Sequence, residues 1–182
     1  MTLMRWWDNL KTKTKFDHFR FAAGAMLSAL AAVLSMLEGM LPEIPIPGAK
    51  LGLSNLAVMT AADLFGFWGG FVTVLAKSFF AVISRGPTAG FMSLCGSMLS
   101  MLLMLVFIKY DRKCFFGYVG IGVVGAVSHN IGQLFAAWLI IGGSVFFYFP
   151  FLLAAGVFTG AFTGFVNSLL IPVIRKSYSN NF

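Results

Sequence analysis

Lys77 stands in the middle of an apolar run, Val72-Thr73-Val74-Leu75-Ala76-Lys77-Ser78-Phe79-Phe80. An ammonium group in such surroundings is expensive, and it normally faces a polar cavity or a partner carboxylate. Two further cations, Lys50 and Arg85, lie to either side of it. Arg85 is eight residues on, which sets Lys77 about 12 Å deeper if the segment is helical. Together the three could hold an anionic or electron-rich ligand. The competing role for Lys77 is a structural pair with a buried acid, for which Glu38, Glu43 and Asp63 are available. Arg85-Gly86-Pro87 is also compatible with an ordinary interfacial turn, and Lys50 with a similar role.

A second polar group is Ser128-His129-Asn130-Ile131-Gly132-Gln133. His129 and Gln133 are four apart and share a helix face, and Asn130 is three from Gln133. Polar side chains at the middle of a span must find partners, because lipid offers none. They can contact a ligand or simply tie helices together. His129 stands without other ligating residues, so no metal site is expected. A third segment, Gly48-Ala49-Lys50-Leu51-Gly52-Leu53-Ser54-Asn55-Leu56, lacks the Walker spacing and its Lys-Ser/Thr ending. It can still form a lid over a helix start, where Ser54 or Asn55 either caps the helix or lines a cavity. No DDxxD, HExxH or GxSxG sequence occurs, so no catalytic residues and no cofactor are expected.

The elements that position these groups follow from composition. The chain has 182 residues, is 59% hydrophobic and carries only 10% charged residues, where soluble domains carry about 25%. This is an all-α polytopic membrane protein. The net charge of +7 does not indicate nucleic acid, because the basic residues flank apolar runs. Two cysteines without a CxxC pattern give neither a disulfide framework nor a zinc site.

A span needs about 20 apolar residues. Residues 21–41 qualify. The Pro-rich stretch Pro42-Glu43-Ile44-Pro45-Ile46-Pro47 then excludes helix and strand. Residues 51–67 and 69–84 are short for full spans, separated by Gly69-Gly70, and form either two tilted helices or a re-entrant hairpin. Residues 91–108, 118–141 and 146–174 complete about six helices. The expected organisation is a basic cytoplasmic or interfacial segment over 1–20, a six-helix transmembrane domain over 21–174 and a cytoplasmic tail over 175–182. Arg5, Trp6, Trp7 and the lysines that follow suggest a short interfacial helix. All cations other than Lys50, Lys77 and Arg85 fall in the N-terminal segment, the 109–113 loop or the C-terminal tail, which puts both termini in the cytoplasm. Gly156-xxx-Gly160-xxx-Gly164 marks a close helix contact. In the first helix Gly24, Ser28 and Ala32 form one small-residue stripe, and Ala25 and Ala29 the next.

The segments Gly48–Asn55, Lys77, Arg85-Gly86 and Gly125-Ala126-Val127-Ser128-His129-Asn130-Ile131-Gly132-Gln133 resemble the Gx transporter family, also labelled heptaprenyl diphosphate synthase component I. The resemblance covers about residues 21–174. That family looks like the S components of energy-coupling factor (ECF) importers. These are six-helix membrane proteins that capture a vitamin or similar small molecule at the outer side and deliver it with a transmembrane partner and two cytoplasmic ATPases. The resemblance implies a cell-membrane protein that binds a small anionic or aromatic molecule resembling a vitamin or quinone precursor. Its substrate contacts would be Lys50, Asn55, Lys77, Arg85, His129, Asn130 and Gln133. Ala25 and Ala29 would dock the partner, matching the family's AxxxA spacing. Membrane lipids are the other expected partner. The alternative is a non-transport subunit or scaffold of an isoprenoid, quinone or electron-transfer complex. Chain elongation by this protein itself is not expected, because prenyl diphosphate synthases use acidic pairs to hold magnesium and diphosphate.

Overall fold

The structure, a computed structural model, describes residues 2–40, 52–110 and 117–180. Its helices are α1 (Thr2–Met40), α2 (Ser54–Arg85), α3 (Pro87–Tyr110), α4 (Gly117–Ile141) and α5 (Phe149–Asn180), with a 3-10 turn at Gly143–Tyr148 between α4 and α5. All five helices are long and apolar enough to cross a membrane. The protein is a polytopic membrane helical bundle. Its phenylalanines follow the solvent it occupies: Phe79, Phe147, Phe158, Phe162 and Phe165 all point outward, where lipid takes the place of water.

α2 is folded back on itself. Gly66 has φ 68° and ψ −153°, a conformation that is essentially restricted to glycine. It divides the element into arms 54–65 and 67–85. A straight helix would hold residues 55 and 77 about 33 Å apart; instead Lys77 Nζ donates to Asn55 Oδ1 at 3.1 Å. The short segments expected on either side of a glycine pair are therefore an antiparallel hairpin. The turn falls at Gly66 and not at Gly69-Gly70, which stay helical. Gly70 is needed there for contact: a Cβ on it would meet Met101 Sδ at 2.8 Å and Ala62 Cβ at 3.3 Å.

The α2 hairpin, α3, α4 and α5 pack in succession, and α5 closes back on α2. Among the described residues α1 packs on α2 alone. Its inward stripe is Ser28, Ala31, Ala32, Ser35 and Glu38, and Ser28 hydrogen-bonds Thr73 at 3.2 Å. The basic N-terminal segment is not a separate interfacial helix: the backbone is helical without a break from Thr2, and the apolar span begins at Phe21. α5 continues past residue 174 to Asn180, so its helix includes most of the expected tail.

Glycine makes the α4–α5 seam. A Cβ on Gly160 would lie 2.6 Å from Val123 Cα, and one on Gly164 2.7 Å from Val119 Cα. The glycine stripe of α5 is thus internal packing, which brings the two backbones close enough for dispersion forces to hold them.

Two apolar clusters occupy opposite ends of the interior. Val58, Met59, Ala62, Val74, Met101, Met104 and Ile121 form one, toward the Gly66 turn. Leu134, Ala137, Val145 and Leu152 form the other. Along α3 and α4 the buried residues between these clusters include Ser93, Ser97, His129, Asn130 and Gln133, and they help build the site described next.

Candidate functional site

Between the apolar clusters lies a buried polar layer. Asn55, Lys77 and Ser78 come from the two arms of α2, Ser93 and Ser97 from α3, and His129, Asn130 and Gln133 from α4. All are at least nine-tenths buried; Lys77 is only 2% exposed.

The hairpin explains the first half of the layer. Folding at Gly66 brings Asn55, at the start of the first arm, against Lys77 in the second. Asn55 offers a neutral carbonyl oxygen, so its bond to Lys77 leaves the charge uncancelled. Among the described residues the acid in the vicinity is Glu38, which attracts both Lys77 and Arg85, while Arg85 repels Lys77. Glu38 is held elsewhere: its carboxylate accepts from the Ser54 backbone N–H at 2.9 Å and from the Ser54 hydroxyl at 3.2 Å. It therefore caps α2 from a neighbouring helix, satisfying an N–H that has no partner within α2 and complementing the helix dipole. No side chain of α2 performs that capping, and Asn55 faces the interior. Arg85 is half-buried, donates to Ser35 Oγ at 3.2 Å and lies over Gly39, where a Cβ would meet its Cδ at 2.9 Å.

Glycine also explains the second half. A Cβ on Gly96 would meet Gln133 Cγ at 2.7 Å and His129 Cε1 at 3.0 Å. The α4 side chains therefore lie over Gly96, between Ser93 and Ser97 on α3. Asn130 turns the other way and donates to the Leu152 carbonyl at 2.7 Å, which ties α4 to α5.

Several buried polar atoms in and beside this layer have no hydrogen-bond partner among the described residues: Asn55 Nδ2, Ser78 Oγ, Ser93 Oγ, Ser97 Oγ, Arg85 Nε and both amide atoms of Gln133. An unmade hydrogen bond at a buried group costs about 1–3 kcal/mol. The collection is rich in donors, since Asn55 Nδ2, Arg85 Nε and Gln133 Nε2 can only donate and Lys77 carries three N–H groups. Such a set suits an acceptor-rich molecule. The layer holds no group of three or more His, Cys, Asp or Glu placed to bind a metal.

The sequence-derived candidates therefore divide. Asn55 and Lys77 touch, and Arg85 joins them through the field of Glu38. His129 and Gln133 lie in the same layer on α4, and Asn130 serves as an interhelical tie. Lys50 and Glu43 lie outside the described residues. Ala25 and Ala29 are exposed on the outer face of α1, away from α2. Sequence reasoning missed Ser78, Ser93 and Ser97 and the capping role of Glu38. Ser93, Ser97 and Ser100, spaced i, i+4, i+7 with Gly96 among them, form a one-faced stripe that could have signalled the α3 side of the layer.

The chain matches the family described as heptaprenyl diphosphate synthase component I over residues 27–170, which include every described member of the polar layer. No curated protein and no solved structure matches it.

Proposed function

From a chain that belongs to the heptaprenyl diphosphate synthase component I family, we propose a substrate-binding membrane subunit of an ATP-driven importer, acting as an S component of the ECF type. It captures a small anionic or aromatic molecule from the outer side of the cell membrane. The observation that carries this reading is Lys77: a fully buried cation whose hydrogen bond among the described residues goes to an amide and not to an acid. An intramembrane charge of that kind is expected to face a substrate.

The distribution of charge supports the orientation. Lys109, Arg175 and Lys176 gather at the end of the bundle that holds the Gly66 turn, and Glu38, Lys77 and Arg85 occupy the other half. With the basic end in the cytoplasm, the polar layer lies in the outer half of the bundle and both termini are cytoplasmic. The first arm of α2 has only 12 residues, about 18 Å of helix, and so begins below the outer surface. Helices that start within the bilayer are a recurrent feature of transporter binding sites. In this scheme Lys77 and Asn55 hold the acidic group, Gln133 and His129 contact the rest of the molecule, and Arg85 guides it inward. The exposed Ala25–Ala29 face of α1 is free to meet a transmembrane partner, and cytoplasmic ATPases supply the energy. The protein performs no catalysis of its own.

The test is reconstitution. Purified with its partners into liposomes, the protein is expected to bring along a membrane subunit and two ATPases and to support ATP-dependent uptake. The family description favours a second reading, a non-transport subunit of an isoprenoid or quinone enzyme complex. Association only with a prenyltransferase, and stimulation of its activity without uptake, would establish that reading and remove the first.

A further inference from the structure

The charges around Lys77 do not balance. Lys77 and Arg85 are two cations on one helix arm, two turns apart, and among the described residues Glu38 is the carboxylate acting on both. Glu38 forms no ion pair within 4.0 Å with either; among the described residues the only salt bridge is Arg175–Asp63. Its oxygens are engaged by Ser54 at the start of α2, where the helix dipole adds a further partial positive charge. Among the described residues no other acid corrects this: Asp63 sits at the opposite end, bound to Arg175 at 2.8 Å. The described surroundings of Lys77 thus carry one excess positive charge in a low-dielectric interior, where an uncompensated ion is costly.

We infer that the ligand of the Lys77–Asn55 site is a singly charged acid with a planar carboxylate head group, not a phosphate or diphosphate. This rests on the substrate-binding reading above. One negative charge neutralises the excess, whereas a phosphate monoester, with about 1.5 to 2 negative charges at neutral pH, or a more highly charged diphosphate would leave the layer net negative. The donors fit a carboxylate as well. Lys77 Nζ and Asn55 Nδ2 belong to side chains already in contact through Asn55 Oδ1. They can direct one N–H each to the two oxygens of a carboxylate, and a charge-assisted bond of this kind is about twice as strong as a neutral one.

Three probes that share a phenyl ring separate the possibilities: benzoate, benzamide and phenyl phosphate. Each is titrated against the purified full-length protein in nanodiscs while its thermal midpoint is followed, since a ligand that binds the folded state raises the midpoint. Benzoate is expected to act at a concentration at least about tenfold lower than either of the others. Lys77→Met should abolish that advantage, and Glu38→Gln, which adds one more excess positive charge, should shift preference toward phenyl phosphate. Stronger stabilisation by phenyl phosphate would overturn the carboxylate assignment and leave import intact. Equal action of benzamide would show that charge is not recognised and would equally overturn it. No response to any probe would also overturn it, while ATP-dependent uptake in liposomes judges the import reading separately. The ranking on the unaltered protein stands even if a variant fails to fold.

Discussion

Two polar groupings in this bundle are built from similar residues and end differently. Near the Gly66 turn, Asp63 meets Arg175 at 2.8 Å. One level above, Thr60 donates to Asn167 Oδ1 at 2.9 Å, and Asn167 Nδ2 donates to the Leu56 carbonyl at 3.3 Å. Charge meets opposite charge there, and each donor of these side chains that the bonds name has its acceptor. In the polar layer a lysine meets an amide, an acid caps a neighbouring helix, and serine, asparagine and glutamine atoms are left over. Interhelical polar contacts that exist only to hold helices together should resemble the first grouping. The second leaves donors and acceptors over, which is what the proposed ligand-binding role calls for.

That contrast can be broken by substitution. The largest effect is expected from Lys77→Ala, which should weaken ligand binding at least about 100-fold, or about 2.7 kcal/mol, while the protein still inserts and folds. Binding by isothermal calorimetry together with size-exclusion behaviour would check both parts, and unchanged affinity would remove Lys77 from the site. Gln133→Leu should weaken binding about tenfold, about 1.4 kcal/mol. It should not lower the thermal midpoint, because it removes two unpartnered buried groups. Asn167→Leu should do the reverse: a stability loss of about 1 kcal/mol, typical of a hydrogen bond between membrane helices, with affinity unchanged. Asp63→Asn comes last, at about 0.5 kcal/mol of stability, since Arg175 is more than half exposed, and with no effect on binding. A binding defect in Asn167→Leu or Asp63→Asn would erase the distinction between the two groupings.

Much of this was legible in the chain because charge is rare in membrane segments. Lys77 declared itself by its neighbours alone, and the His129–Gln133 face by its spacing. What stayed hidden depends on tertiary contact. Three glycines at 66, 69 and 70 give the same local signal. Which of them turns the chain is decided by the packing of Gly70 on Met101 and Ala62, contacts that form only once the chain has folded. Glu38 reads as an acid near a helix end, and only the approach of Ser54 turns it into a cap for another helix. Asn130 and Gln133 read alike, yet one faces the Leu152 carbonyl and the other lies over Gly96. Ser93 and Ser97 pass for ordinary small packing residues until Gln133 and His129 are laid between them.

The central claim is that Lys77 is not a structural cation. Its most direct test is the thermal midpoint of ligand-free Lys77→Met beside the unaltered protein, in the same nanodiscs. Methionine keeps the length and apolar stem of the side chain and removes only the charge and its donors. An excess buried charge is a burden on the empty protein, so the midpoint should stay the same or rise. A marked fall would mean that Glu38 and Asn55 already satisfy Lys77, and the polar layer would then be packing glue.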